Sequence, residues 1–128
     1  QNPPPHRGFD TLNLPVLQKL ASALKIRINH IPRIPRLLRY SLGEKITTLA
    51  IELTELLLIA GYSERSQKLL LIQKASMKLD LLKYFLQTAF ELKAIDAKTL
   101  AEIAVPIADV GRMLGGWQKQ FMKQAPLI

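Results

Sequence analysis

The chain has no cysteine among its 128 residues. This rules out a disulfide framework, a thiolate metal site and a thiol nucleophile, and fits a reducing, cytoplasmic setting. Histidine is almost as scarce: only His6 and His30 are present, and neither has a histidine or acidic partner at ligand spacing. Zinc sites need three or four convergent ligands, so neither a metal nor a cofactor is expected. Aromatic residues make up 6% of the chain, too few for a platform of rings on which successive bases stack. The broadest apolar run, "LAIELTELLLIA", is interrupted by Glu52 and Glu55 and is too short to span a bilayer. The first residues, "QNPPPHRG", lack the apolar segment of a secretory signal. Glu52 and Glu55 lie one helical turn apart and read as solvated rather than as an acid–base pair. The glycine pair in "RMLGGW" follows no strand, so it is not a phosphate loop. With no convergent acids, histidines or thiols, the chain is not expected to be an enzyme.

What the sequence does have is positive charge and helical periodicity. Eighteen Lys and Arg stand against ten Asp and Glu, giving a net charge of +8 and a pI near 10.0. Such a balance points to an acidic partner: nucleic acid, an anionic surface or an acidic protein. The charge is concentrated. From Lys19 to Lys45 the basic residues are Lys19, Lys25, Arg27, Arg33, Arg36, Arg39 and Lys45, and the only acid is Glu44. Lys74, Lys78 and Lys83 add a second group, with Asp80 among them. Clustered Lys and Arg without base-reading geometry suit a phosphate backbone. A solvated charged face is the plainer reading of the same residues.

The length fits one domain with a real core. Residues 1–9, with three consecutive prolines, read as a flexible arm, and 10–128 as the folded domain. Apolar spacing predicts an all-α chain of four helices. The first runs from about Leu14 to Ile28, with Asn13 as N-cap and a seam of Leu14, Leu17, Ala21, Leu24 and Ile28. The second runs from about Leu37 to Ala60, stopping at Gly61, with a seam of Leu42, Ile46, Leu49, Leu53, Leu56 and Ala60. The third spans about Ser66 to Ala94, with Ser63 as N-cap and a seam of Ile72, Ala75, Leu79, Leu82, Leu86 and Ala89. The fourth starts at Asp96, an N-cap residue type, and its seam is Leu100, Ile103, Ile107, Val110, Leu114, Trp117 and Phe121. Pro106 should bend it near Glu102. Short turns between four such seams predict an antiparallel, up-and-down four-helix bundle.

Two helices carry more apolar residues than one core uses. Leu70, Met77, Leu81 and Tyr84 lie roughly opposite the seam of the third helix, and Ile51 and Leu58 opposite that of the second. Scattered exposed apolar residues are ordinary, but this regular spacing favours a subunit interface. Gly111, Gly115 and Gly116 each cost about 1 kcal/mol relative to alanine inside a helix. With Trp117 they read as packing residues that clear a helix face, and a ligand or partner contact is the other reading.

Four stretches, "IPRLLRYSLGEKI", "LLLIAGYSERSQKL", "LKYFLQTAFELKAID" and "IADVGRMLGGWQK", resemble in order and spacing the accessory variability determinants of diversity-generating retroelements. The same fold family includes proteins encoded by intervening sequences in bacterial ribosomal RNA genes. The resemblance covers roughly residues 10–121 and is most specific at Pro35-Arg36, Leu42-Gly43, Val110-Gly111-Arg112 and Gly115-Gly116-Trp117. It implies a homopentameric barrel that binds RNA or DNA without strong sequence preference and associates with a reverse transcriptase. That enzyme copies template RNA into cDNA mutagenically, and its active site would lie in the partner. Two alternatives stay open: a bundle bound to ribosomal RNA, and a structural protein–protein adaptor. A membrane-surface role is disfavoured, because the apolar faces are needed for core and interface.

Overall fold

The computed structural model describes residues 14–124. It contains four helices: α1 (Leu14–Asn29), α2 (Arg36–Tyr62), α3 (Arg65–Glu91) and α4 (Ala97–Gln124), with no strand among the described residues. Each helix packs on its neighbours in the chain, and α1 closes the ring against α4. With only short connectors between them, this is the four-helix bundle expected from the periodicity. The arm at 1–9 and the proposed cap Asn13 lie outside the described residues.

The core follows the apolar seams closely. All five seam residues of α1 and all six of α3 are buried. On α4, Ile103, Ile107, Val110, Leu114 and Phe121 are buried, while Leu100 and Trp117 are half-buried. The seam of α2 needs one correction: Leu57, not Leu56, is the buried residue after Leu53. A helix turns about 100° per residue, so a step of four from Leu53 overshoots the core direction less than a step of three falls short of it here. Leu56 is half-buried against the edge of the core. At the other end of α2, Gly43 is buried because α1 passes directly over it. A Cβ there would meet Lys25 Cγ at 3.1 Å and Lys25 Cα at 3.3 Å.

Helix ends differ from expectation at the α2–α3 connection. α2 continues through Gly61 to Tyr62, and Ser63 takes the extended conformation that stops it. Its Oγ donates to the Ile59 carbonyl at 2.7 Å, so Ser63 serves the end of α2 and does not cap α3. Glu64 stands at the start of α3 without a side-chain capping bond. α3 ends at Glu91, earlier than Ala94. Lys93 adopts φ 60°, and Ala94 N–H donates back to Ala89 C=O at 2.8 Å. This is a Schellman closure with lysine in the left-handed position that glycine usually fills. At the head of α4, Asp96 is the cap it was expected to be, accepting from the Thr99 N–H at 2.8 Å. Pro106 lies buried within continuous helix, where its ring leaves the Glu102 carbonyl without the usual intrahelical donor.

Two substitutions test this arrangement. Leu57→Ala should cost about 2–4 kcal/mol in denaturant unfolding, against clearly less for Leu56→Ala. Lys93→Gly should stabilise by roughly 0.5–1 kcal/mol, because glycine takes the left-handed conformation without the Cβ penalty.

Candidate nucleic-acid interface

The connectors α1–α2 and α3–α4 lie at the same end of the bundle, and the predicted arginine turn is there. Pro32 and Pro35 stiffen residues 30–35, and Ile34 between them is buried in the core. That buried isoleucine holds the turn down while its neighbours stay exposed. Arg33 is in the connector and Arg36 opens α2, so the three arginines do not climb a single helix face.

Two of them bind main-chain carbonyls. Arg39 Nη1 donates to Asn29 C=O at 2.6 Å, closing the end of α1. Arg33 Nη2 donates to the Lys93 carbonyl, at the end of α3. Arg27 reaches across to α4, where its Nη1 donates to Thr99 Oγ1 at 2.5 Å. The hydroxyl and backbone N–H of Thr99 both hydrogen-bond the Asp96 carboxylate and hold it below the ordinary carboxylate range, helped by the Arg27 charge. Arg33 and Arg39 are therefore structural as well as basic. A guanidinium has five donors, so one carbonyl leaves others for a phosphate.

The connectors frame a cleft of about 820 Å³ lined by Arg27, Arg33 and Lys93 and also by Glu91 and Asp96. A smaller pocket of about 290 Å³ lies between the end of α1 and the start of α2. Arg36 and Arg39 line this one, with no carboxylate among the described residues. The bundle end thus joins Arg27, Arg33, Arg36, Arg39 and Lys93. Lys93 was missed in the sequence because its place depends on how α3 ends.

Other predicted basic residues are dispersed. Lys25 pairs with Glu44 at 2.7 Å, and that hydrogen-bonded carboxylate holds its ammonium above the ordinary value. Lys78 pairs with Glu52 at 3.0 Å across the α2–α3 contact. Lys74 and Lys78 share a face of α3, but Lys83, nine residues beyond Lys74, points about half a turn away. The three do not form one patch.

The apolar stripe of α3 is on the surface: Met77 and Tyr84 are each 65% exposed, and Leu70 and Leu81 are exposed as well. Ile51 and Leu58 are exposed on α2. α4 adds a feature that the apolar periodicity concealed. Ala97, Ala101, Ala104, Ala108 and Gly115 are all exposed, forming a flat strip with little side chain. A Cβ on Gly111 would meet only Leu79 Cδ2, at 3.5 Å, and one on Gly115 or Gly116 would face open space. No neighbour within the described chain accounts for the last two glycines. Trp117 is half-buried beside them.

Among the described residues no group of His, Asp and Glu could hold a metal, and no helix is long and apolar enough to cross a membrane. A family model described as bAvd-like matches residues 15–121. No curated protein and no solved structure matches the chain.

The Asp96 cap gives a pH prediction. Its carboxyl is depressed in the folded state, so its stabilisation is present above the ordinary carboxylate range and is lost as pH falls below that range through the lowered folded value. Asp96→Ala should lower the melting temperature by a few degrees at neutral pH. The gap between parent and variant should close in acid, as read by circular dichroism melts.

Proposed function

The chain belongs to the bAvd-like family, and from that premise we propose that it is a non-catalytic, nucleic-acid-binding accessory subunit of a retroelement reverse transcriptase. It would act in the cytoplasm in mutagenic copying of template RNA into cDNA. The observation that carries this reading is the concentration of Arg27, Arg33, Arg36, Arg39 and Lys93 at one bundle end, fixed there by both connectors. Phosphates meet such a surface through charge, with little regard to base sequence.

The proposal includes self-association into a closed ring, a pentamer by the resemblance. The α3 stripe and the flat α4 strip are different faces of one chain. Contact between unlike faces is head-to-tail, and it closes into a ring when the rotation allows. The bulky Leu70, Met77 and Tyr84 of one copy suit the small residues of α4 on the next.

Sedimentation equilibrium at micromolar concentration should give a mass several times 14.4 kDa. Leu81→Glu should dissociate the assembly while preserving helical circular dichroism; a monomeric parent would refute self-association. Binding of unrelated oligonucleotides should weaken steeply with salt. Replacing Arg36 by Gln should reduce the slope of log K against log salt by about 0.7–0.9 for each phosphate that Arg36 neutralises. The melting temperature should hold, since Arg36 is exposed at the helix start. Co-purification with a retroelement reverse transcriptase from the same source tests the partner. Retention of ribosomal RNA without that enzyme would favour the ribosomal alternative.

A further inference from the structure

The small pocket at the α1–α2 junction is lined by Asn29, His30, Arg36, Arg39 and Tyr40. Its composition differs from that of the larger cleft. It has two guanidiniums, an imidazole, a phenol ring and a carboxamide, and among the described residues no carboxylate to repel an anion. Tyr40, 59% exposed, brings an aromatic ring to the lining. His30 Nδ1 lies 2.7 Å from the Ile26 carbonyl, which fixes the ring at the end of α1.

Among the described residues, two polar atoms here have no partner. Arg39 Nε, a donor, and Asn29 Oδ1, an acceptor, are both buried without a hydrogen bond. They belong to residues already joined, because Arg39 Nη1 donates to the Asn29 backbone carbonyl at 2.6 Å. Buried polar groups are nearly always satisfied, and an unmet donor and acceptor on adjoining residues point to a partner that brings the complementary pair. Every nucleobase has a neighbouring donor and acceptor on its Watson–Crick edge. In a duplex that edge is paired and the faces are stacked, so only an unpaired base offers both.

We infer that this pocket takes one unstacked nucleotide of a single strand, with its base against Tyr40 and the Asn29–Arg39 donor–acceptor pair and its phosphate on Arg36 and His30. The inference rests on the nucleic-acid reading above and adds to it a preference for unpaired strands. Both unpartnered atoms are shielded from water in the unbound chain, so the base must displace what covers them to reach the pair. One ring per subunit suffices, so the scarcity of aromatics is no obstacle. All bases satisfy the pair, so the site selects for strandedness and not for sequence.

The test compares two labelled single strands of equal length, one with bases and one abasic throughout, by fluorescence anisotropy with the full chain at low salt. The backbone charge is the same in both. The base-bearing strand should bind more tightly by about five-fold or more, the scale of a single stacked base. Tyr40→Ala should abolish that difference, Tyr40→Phe should retain it, and Arg36→Gln should weaken both strands. Equal affinity of the parent for the two strands would overturn the nucleotide pocket while leaving the electrostatic reading intact. An undiminished difference in Tyr40→Ala would likewise overturn the pocket. Failure of the parent to bind either strand would overturn both readings.

Discussion

A helix ends with carbonyls that its own backbone cannot satisfy, and at the basic end of this bundle guanidiniums meet part of that need. Arg39 bonds the carbonyl of Asn29 at the end of α1, and Arg33 bonds that of Lys93 just past α3. The left-handed Lys93 lets Ala94 N–H close on Ala89, and Ala94 and Ile95 then turn inward as core. Arg27 completes the set by tying α1 to the capped start of α4 through Thr99. Positive side chains near helix C-termini are also favoured by the helix dipole. The same bonds fix where the connectors lie, and so where the charge is displayed.

This arrangement gives the arginines two roles. Arg27, Arg33 and Arg39 each use one donor within the fold and keep others of a planar, permanently charged fork for an outside anion. Lysine in their place would supply charge without the fork, and the connectors would loosen. The lysines nearby serve differently: Lys25 and Lys78 sit in surface ion pairs across helix contacts, which contribute little stability each. Electrostatics and architecture are therefore joined at the bundle end and separable along its flanks, where the apolar α3 stripe and the flat α4 strip are exposed.

Most of the fold was legible because burial in a helical bundle repeats every three to four residues. The seams of α1 and α3 were read residue for residue, and Asp96 announced its own helix. The misreadings occurred where two residues compete for one direction or where a helix end depends on contacts elsewhere. Leu56 and Leu57 are chemically identical, and only the position of α3 and α1 around α2 chooses between them. Ser63 is a good cap by type, yet its hydroxyl serves the preceding helix. The glycines at 115 and 116 read as packing residues, but no part of the described chain approaches them.

The sequence by itself determined the class of structure: four amphipathic helices, a basic stretch around two prolines, and no cysteine for thiol chemistry. These follow from composition and local period, which need no knowledge of distant contacts. Only the tertiary structure decided which basic residues stand together. It brought Lys93 beside Arg27 and Arg33 and placed Asn29, Arg36, Arg39 and Tyr40 around one pocket. The reason is geometric. A helix carries its side chains round by a fixed angle, whereas the grouping of residues 60 or more positions apart depends on how two connectors meet, as the Arg33–Lys93 and Arg27–Thr99 bonds do here.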